Sequence, residues 1–161
     1  MKFKVMSKSD AQAYSALIEE RTIIISITDV SDSAATFFIN PNIKDILRLK
    51  FDDVESDTAN HISREQAKRI IEFVSQHIND IDLILVHCGA GISRSAGVCA
   101  ALMLIINGDD RDVFECSKYC PNRTCYRYVL DAYYGGYEED SMVEEKFKRN
   151  IELWLEDQDL E

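Results

Sequence analysis

The chain has 161 residues, 46% of them hydrophobic and 29% charged, with only six glycines and two prolines. One domain of that length can bury a substantial core, and the composition excludes a disordered or linker-joined chain. A formal net charge of −11 works against nucleic acid or an anionic membrane surface as the main partner.

Lys2 to Met6 and Thr22 to Thr28 read as strands, the second nearly continuous in isoleucine and so buried. Between them the pattern predicts a helix over Asp10 to Arg21 with Asp10 as its cap. Ile46 to Phe51 alternates as a strand does and leads into an acidic loop, Asp52 to Asn60. Ser63 opens a helix, with Gln66 at the capping-box position and Ala67, Ile70, Ile71, Val74 and Ile78 at helical spacing. Leu83 to Val86 is an apolar strand that stops at His87, and Ser93 to Ile106 is apolar nearly all round, as a central helix is. Helical stretches follow over Asp110 to Tyr119, Asn122 to Tyr134 and Glu138 to Leu155. The expected fold is a single layered α/β domain over residues 1–161. Its central, mostly parallel sheet is flanked by helices, with a phosphate-binding loop between a buried strand and a buried helix.

No apolar run is long enough for a membrane span, and Met1-Lys2-Phe3-Lys4-Val5 lacks the apolar core of a secretion signal, so a cytoplasmic location is expected. The five cysteines, Cys88, Cys99, Cys116, Cys120 and Cys125, are odd in number and follow no disulfide framework. Cys116, Cys120 and Cys125 lack paired zinc-ligand spacing and have no nearby histidine. Neither a metal nor a cofactor is expected, and nothing in the sequence decides the oligomeric state.

The informative stretch is Val86-His87-Cys88-Gly89-Ala90-Gly91-Ile92-Ser93-Arg94-Ser95, which joins the buried strand to the buried helix. Anions bind at such junctions in open α/β sheets, where a helix N-terminus offers unpaired N–H groups and the positive end of its dipole. Gly89 and Gly91 let the backbone curl, so that amides from Gly89, Ala90, Gly91, Ile92 and Ser93 converge on one point. Cys88 at the base of that nest would be favoured as thiolate, a strong nucleophile and a good leaving group. Arg94 can fork two phosphate oxygens, and the Ser95 hydroxyl can hydrogen-bond the sulfur as it leaves. Together these parts describe phosphoryl transfer in line from sulfur.

The His87-Cys88-x5-Arg94-Ser95 pattern resembles the signature of the protein tyrosine phosphatase superfamily, and the compact size resembles its dual-specificity branch and small bacterial members. The resemblance implies a phosphorylated protein substrate, hydrolysis through a cysteinyl-phosphate intermediate, and a loop-orienting role for His87. It also implies a general acid on the loop after the strand that precedes the long helix. There Phe51-Asp52-Asp53 places Asp53 first, with Asp52 and Asp57 as alternatives. The leaving phenolate, of pKa about 10, needs such a proton. Asn122, in Cys120-Pro121-Asn122-Arg123, resembles an asparagine that supports the phosphate loop, although it also suits a helix N-cap. The loop carries no lysine between Gly89 and Ser93, which fits an inositol lipid poorly. A non-catalytic phosphopeptide-binding module and an RNA 5′-phosphatase on the same fold remain as rival readings, the second opposed by the net charge.

Overall fold

The computed structural model describes residues 1–56 and 58–160. Four strands, β1 (Lys2–Ser7), β2 (Thr22–Thr28), β3 (Ile43–Lys50) and β4 (Leu83–Cys88), form one parallel sheet in the order β1-β4-β2-β3. The helices are α1 (Lys8–Tyr14), α2 (Arg64–His77), α3 (Arg94–Asn107), α4 (Arg111–Phe114), α5 (Arg123–Tyr134) and α6 (Ser141–Asp159). Every residue of β2 and β4 is buried, because each has a strand on both sides and helices above and below.

Side-chain alternation divides these strands between two cores. Ile23, Ile25, Ile27, Ile84 and Val86 join residues of α2, α3 and α5 in the larger one, whereas Ile24 and Leu85 meet Ala11 and Ile18 on the opposite face. A fully buried isoleucine or leucine contributes about 1.5–3 kcal/mol, so this two-sided sheet is the main source of stability. The same alternation puts Cys88 with the α3 side and His87 with the α1 side.

The capping box of α2 forms as its spacing predicts: Ser63 Oγ accepts from Gln66 N at 3.0 Å and Gln66 Oε1 accepts from Ser63 N at 2.9 Å. Other boundaries move for identifiable reasons. α1 is capped by Ser7, whose Oγ accepts from Asp10 N at 3.1 Å, so Asp10 is not the cap. It gives way at Ser15 to a 3₁₀ turn, Ser15–Leu17, because Ser15 is engaged by the loop before β3. Its Oγ accepts from Phe38 N at 2.9 Å, and its carbonyl accepts from Asn40 Nδ2 at 2.9 Å. β3 begins at Ile43, where pairing with Thr22 begins, ahead of the stretch whose side chains alternate in burial. β4 continues past Val86 to Cys88 because β1 extends to pair with it, Met6 opposite His87 and Ser7 opposite Cys88.

The stretch expected as a helix to Tyr119 is only the single turn α4. Asn150 Nδ2 from α6 takes the carbonyls of Phe114 at 3.1 Å and Tyr119 at 3.0 Å, diverting them from helical bonding. α6 starts at Ser141, with Asp140 as N-cap, since Glu139 is drawn aside to Arg123 at 2.9 Å. No helix among the described residues is long and apolar enough to cross a membrane.

Candidate active site

Cys88 ends β4 and Arg94 begins α3, so the five residues between them must reverse from strand to helix in a very short span. Gly91 makes this possible. Its φ of +71° lies in the left-handed region, and a Cβ there would come within 2.4 Å of the Met6 and Ser7 backbone. Gly89 differs from the expectation, since it needs no such conformation; a side chain there would point toward Arg94 Nη2, 3.4 Å from the Cβ position.

The loop is held from outside by its carbonyls. Gly89 O accepts from Lys8 N at 3.1 Å, Ile92 O from Cys120 N at 3.0 Å and Ser93 O from Asn122 N at 2.9 Å. No backbone bond among the described residues takes up the N–H groups of Gly89, Ala90, Gly91, Ile92 or Ser93. Ser93 precedes α3 but does not cap it with its side chain. Its Oγ donates instead to Asp53 Oδ1 at 2.8 Å. The N-terminus of this helix therefore stays open to an anion.

Cys88 is buried, and its Sγ lies 3.0 Å from Ser95 Oγ. Arg94 is buried as well, with Nη1 donating to the Phe51 carbonyl at 2.8 Å and lying 2.6 Å from Asp29 Oδ1. Its Nε is buried with no partner among the described residues. One side of the guanidinium is thus anchored while the Nε side is left free. Asp29 carried no sequence signal beyond its position after the isoleucine strand.

His87 lies behind the loop. Its Nδ1 is 3.2 Å from the Cys88 carbonyl, which can only accept, so that nitrogen carries the proton; Nε2, 2.6 Å from Ser26 Oγ, then accepts from the serine. Phe37 packs edge-on against the ring, with centroids 5.8 Å apart. Burial holds the imidazole below its ordinary pKa. The geometry is that of a neutral residue orienting the carbonyl that follows it.

The acidic loop after β3 meets the cysteine loop at Ser93, and the structure separates Asp52 from Asp53. Asp53 Oδ1 accepts from Ser93 Oγ and from Asn122 Nδ2, the latter at 3.0 Å, so the carboxylate is brought to the shoulder of the loop. Asp52 turns the other way. Its Oδ1 accepts from Val30 N at 3.0 Å and its Oδ2 from Asn60 Nδ2 at 3.3 Å, which makes it a strut of the loop. Asp57 lies outside the described residues. Asn122 Oδ1 caps α5 by accepting from Cys125 N at 2.9 Å, while Nδ2 also reaches the Val54 carbonyl at 3.2 Å, so its side chain holds the acidic loop and its backbone N–H meets the cysteine loop at Ser93 O. A second clasp from α5, Thr124 Oγ1 to Glu55 Oε2 at 2.8 Å, was not legible in the sequence.

The remaining cysteines are free thiols. Burial raises the pKa of Cys99, Cys120 and Cys125, as expected of packing residues. Among the described residues, no group of three or more His, Cys, Asp or Glu side chains gathers as metal ligands would.

A parallel α/β sheet with a cysteine-to-arginine loop at the carboxyl end of an inner strand defines the class of cysteine-signature phosphatases. The family model of the dual specificity phosphatase catalytic domain matches residues 5–154, and the chain belongs to that family. Human dual specificity protein phosphatase 12 is 29% identical over 84 residues, covering 50% of this chain and 23% of that protein. This chain thus matches less than a quarter of that relative's length. Among solved structures, a human tyrosine phosphatase-like serine/threonine/tyrosine-interacting protein superposes with a TM-score of 0.55 at 23% identity, over 81% of this chain and 87% of that one. Human DUSP28 gives 0.51 at 14% identity over 97% and 94%. At such identities these two structures speak for the fold alone.

Proposed function

We propose that the protein hydrolyses the phosphate ester of protein phosphotyrosine, with phosphoserine and phosphothreonine as further substrates, through a cysteinyl-phosphate intermediate. The observation that carries this reading is Cys88 Sγ, 3.0 Å from Ser95 Oγ, at the base of a loop whose amides and whose Arg94 Nε have no other partner among the described residues. In the first step the Cys88 sulfur attacks phosphorus, the P–O bond to the tyrosine breaks, and the phenolate leaves with a proton from Asp53. The loop amides from Gly89 to Ser93 and the Arg94 fork carry the charge on the equatorial oxygens throughout. In the second step water attacks the phosphocysteine, Asp53 takes its proton, and Ser95 hydrogen-bonds the departing sulfur.

Asp53 suits the acid's part because Ser93 and Asn122 both hold Oδ1, which leaves Oδ2 for the proton. His87 and Asn122 support the loop without touching substrate. Five free cysteines fit a reducing compartment, which supports a cytoplasmic location. A phosphorylated protein is the partner, and the acidic net charge of −11 argues for amides and one arginine, not a broad basic surface, as the recognition device.

The test is phosphate release from a phosphotyrosine peptide by the wild type and by Cys88→Ser. The serine variant should bind the peptide yet fall below about one thousandth of wild-type turnover, since a hydroxyl cannot replace a thiolate nucleophile. Residual turnover above that level would remove Cys88 from the role. Binding without turnover in the wild type would make the chain a phosphopeptide-binding module, and turnover of RNA 5′-phosphate alone would redirect the substrate assignment.

A further inference from the structure

Arg94 lies at the base of the site, and its orientation is set by groups that lie outside the signature loop. Nη1 donates to the Phe51 carbonyl at 2.8 Å, at the root of the acidic loop. The same nitrogen lies 2.6 Å from Asp29 Oδ1, just past the end of β2. β2 is the neighbour of β4 in the sheet, so Asp29 stands beside the cysteine strand although 59 positions of sequence separate it from Cys88. The corner is tied in a second way, because the backbone N–H of Val30 donates to Asp52 Oδ1 at 3.0 Å. The end of β2 therefore holds the arginine and the acidic loop at once.

We propose that Asp29 is a positioning residue for Arg94: it fixes Nη1 against the Phe51 carbonyl so that the Nε and Nη2 side faces the bound phosphoryl group. The role rests on the phosphatase reading above. A fork must present two N–H groups in the plane of two oxygens, and a guanidinium pivoting on the single Phe51 bond does not keep that plane. The Nε atom, buried and unpartnered among the described residues, is the group left waiting. Asp29 also carries a charge that opposes an incoming dianion, but its side chain is 51% exposed, and solvent screens a half-exposed carboxylate strongly. Orientation outweighs repulsion, and this decides the sign of the expected effect.

The experiment measures vanadate inhibition and kcat/KM on a phosphotyrosine peptide and on p-nitrophenyl phosphate for wild type, Asp29→Asn, Asp29→Ala and Asp29→Glu. The Asn and Ala variants should weaken vanadate inhibition and lower kcat/KM by about tenfold or more, equally on both substrates, because the acid on Asp53 is untouched. Asp29→Glu should recover most of the loss, which a role confined to folding would not predict once thermal melting shows the variants folded. Asn is nearly isosteric, so it keeps the test open if the Ala variant fails to fold. Vanadate inhibition that is unchanged or tighter in folded Asp29→Asn overturns the positioning role while leaving the phosphatase reading intact. A wild type that neither turns over phosphate esters nor responds to vanadate overturns that reading, and the role of Asp29 with it.

Discussion

Arg94 shows how a single side chain is specified by more than its charge. Its anchored Nη1 and free Nε imply a planar fork, which a lysine point charge cannot copy. Arg94→Lys should lower kcat/KM on a phosphotyrosine peptide by at least about a hundredfold, the scale of losing one preorganised donor to a transition-state oxyanion. Near-normal kinetics would make the arginine structural. Asp53 and Asp52 are adjacent yet face different partners, and their variants should separate accordingly. Asp53→Asn should slow phosphotyrosine esters by about 10²–10⁴-fold, with p-nitrophenyl phosphate affected far less because its acidic leaving group tolerates the loss of a donor. It should also remove the limb of the pH–rate profile on which activity falls with rising pH. Asp52→Asn keeps one acceptor oxygen for Val30 N and gives up only the longer bond from Asn60 Nδ2, and its leaving-group dependence should match wild type. The reverse result would shift the acid by one residue.

Elements meet at the site through α5, whose N-terminal residues clasp the acidic loop at Asp53, Val54 and Glu55 while its axis crosses α3. The crossing is close because of Gly97. A Cβ there would stand 2.4 Å from the Asn122 carbonyl and 3.1 Å from Cys125 Cβ. Gly97→Ala must push α5 away, with a cost of about 1–3 kcal/mol for overpacking. In a domain of this size that corresponds to a fall in melting temperature of roughly 2–4 °C per kcal/mol. Because Asn122 would move with the helix, the variant should lose activity on phosphotyrosine peptide beyond what its unfolded fraction explains. A melting temperature equal to wild type would show that the two helices can separate freely.

At the scale of the whole molecule, the two faces of the sheet do different work. The larger core positions the chemistry on α3. Behind α5, it is closed by a buried polar knot in which Asp110 Oδ2 accepts from Tyr126 Oη at 2.8 Å and from Lys146 Nζ at 2.7 Å. The opposite face holds His87 neutral, and this couples the loop's support to global stability. Burial sets its folded pKa below the ordinary 6.5. Above about pH 6.5 the imidazole is neutral in both states and contributes no pH dependence. As pH falls below that value, the unfolded chain takes up a proton that the folded chain resists, so stability declines until the depressed folded pKa is passed. The slope from this group is at most about 1.4 kcal/mol per pH unit. Denaturant midpoints measured between about pH 7.5 and 5.5 should fall more steeply for wild type than for His87→Gln, and equal slopes would remove His87 as the source.

The sequence alone made the strand–loop–helix junction legible, because it depends on local order: a strand of apolar residues, a cysteine, a glycine that can take positive φ, an arginine in the first helical turn. Cys88, Arg94, Ser95 and Gly91 meet within a few residues of chain, so their spacing already encodes their geometry. The periodicity of α2, the all-round apolar character of α3 and the nearly continuous isoleucines of β2 made the layered α/β class legible for the same reason. Tertiary structure decided whatever depends on which strands are neighbours and which loops touch. Asp29 faces Arg94 because β2 lies next to β4 in the sheet. Asp52 and Asp53 part ways because Val30 draws one while Ser93 and Asn122 draw the other. α1 and α4 stop early because distant amides, Asn40 and Asn150, capture the carbonyls near their ends. In each case a hydrogen bond across many residues of chain outweighs a local preference worth only a fraction of a kilocalorie per residue, and local pattern carries no trace of it.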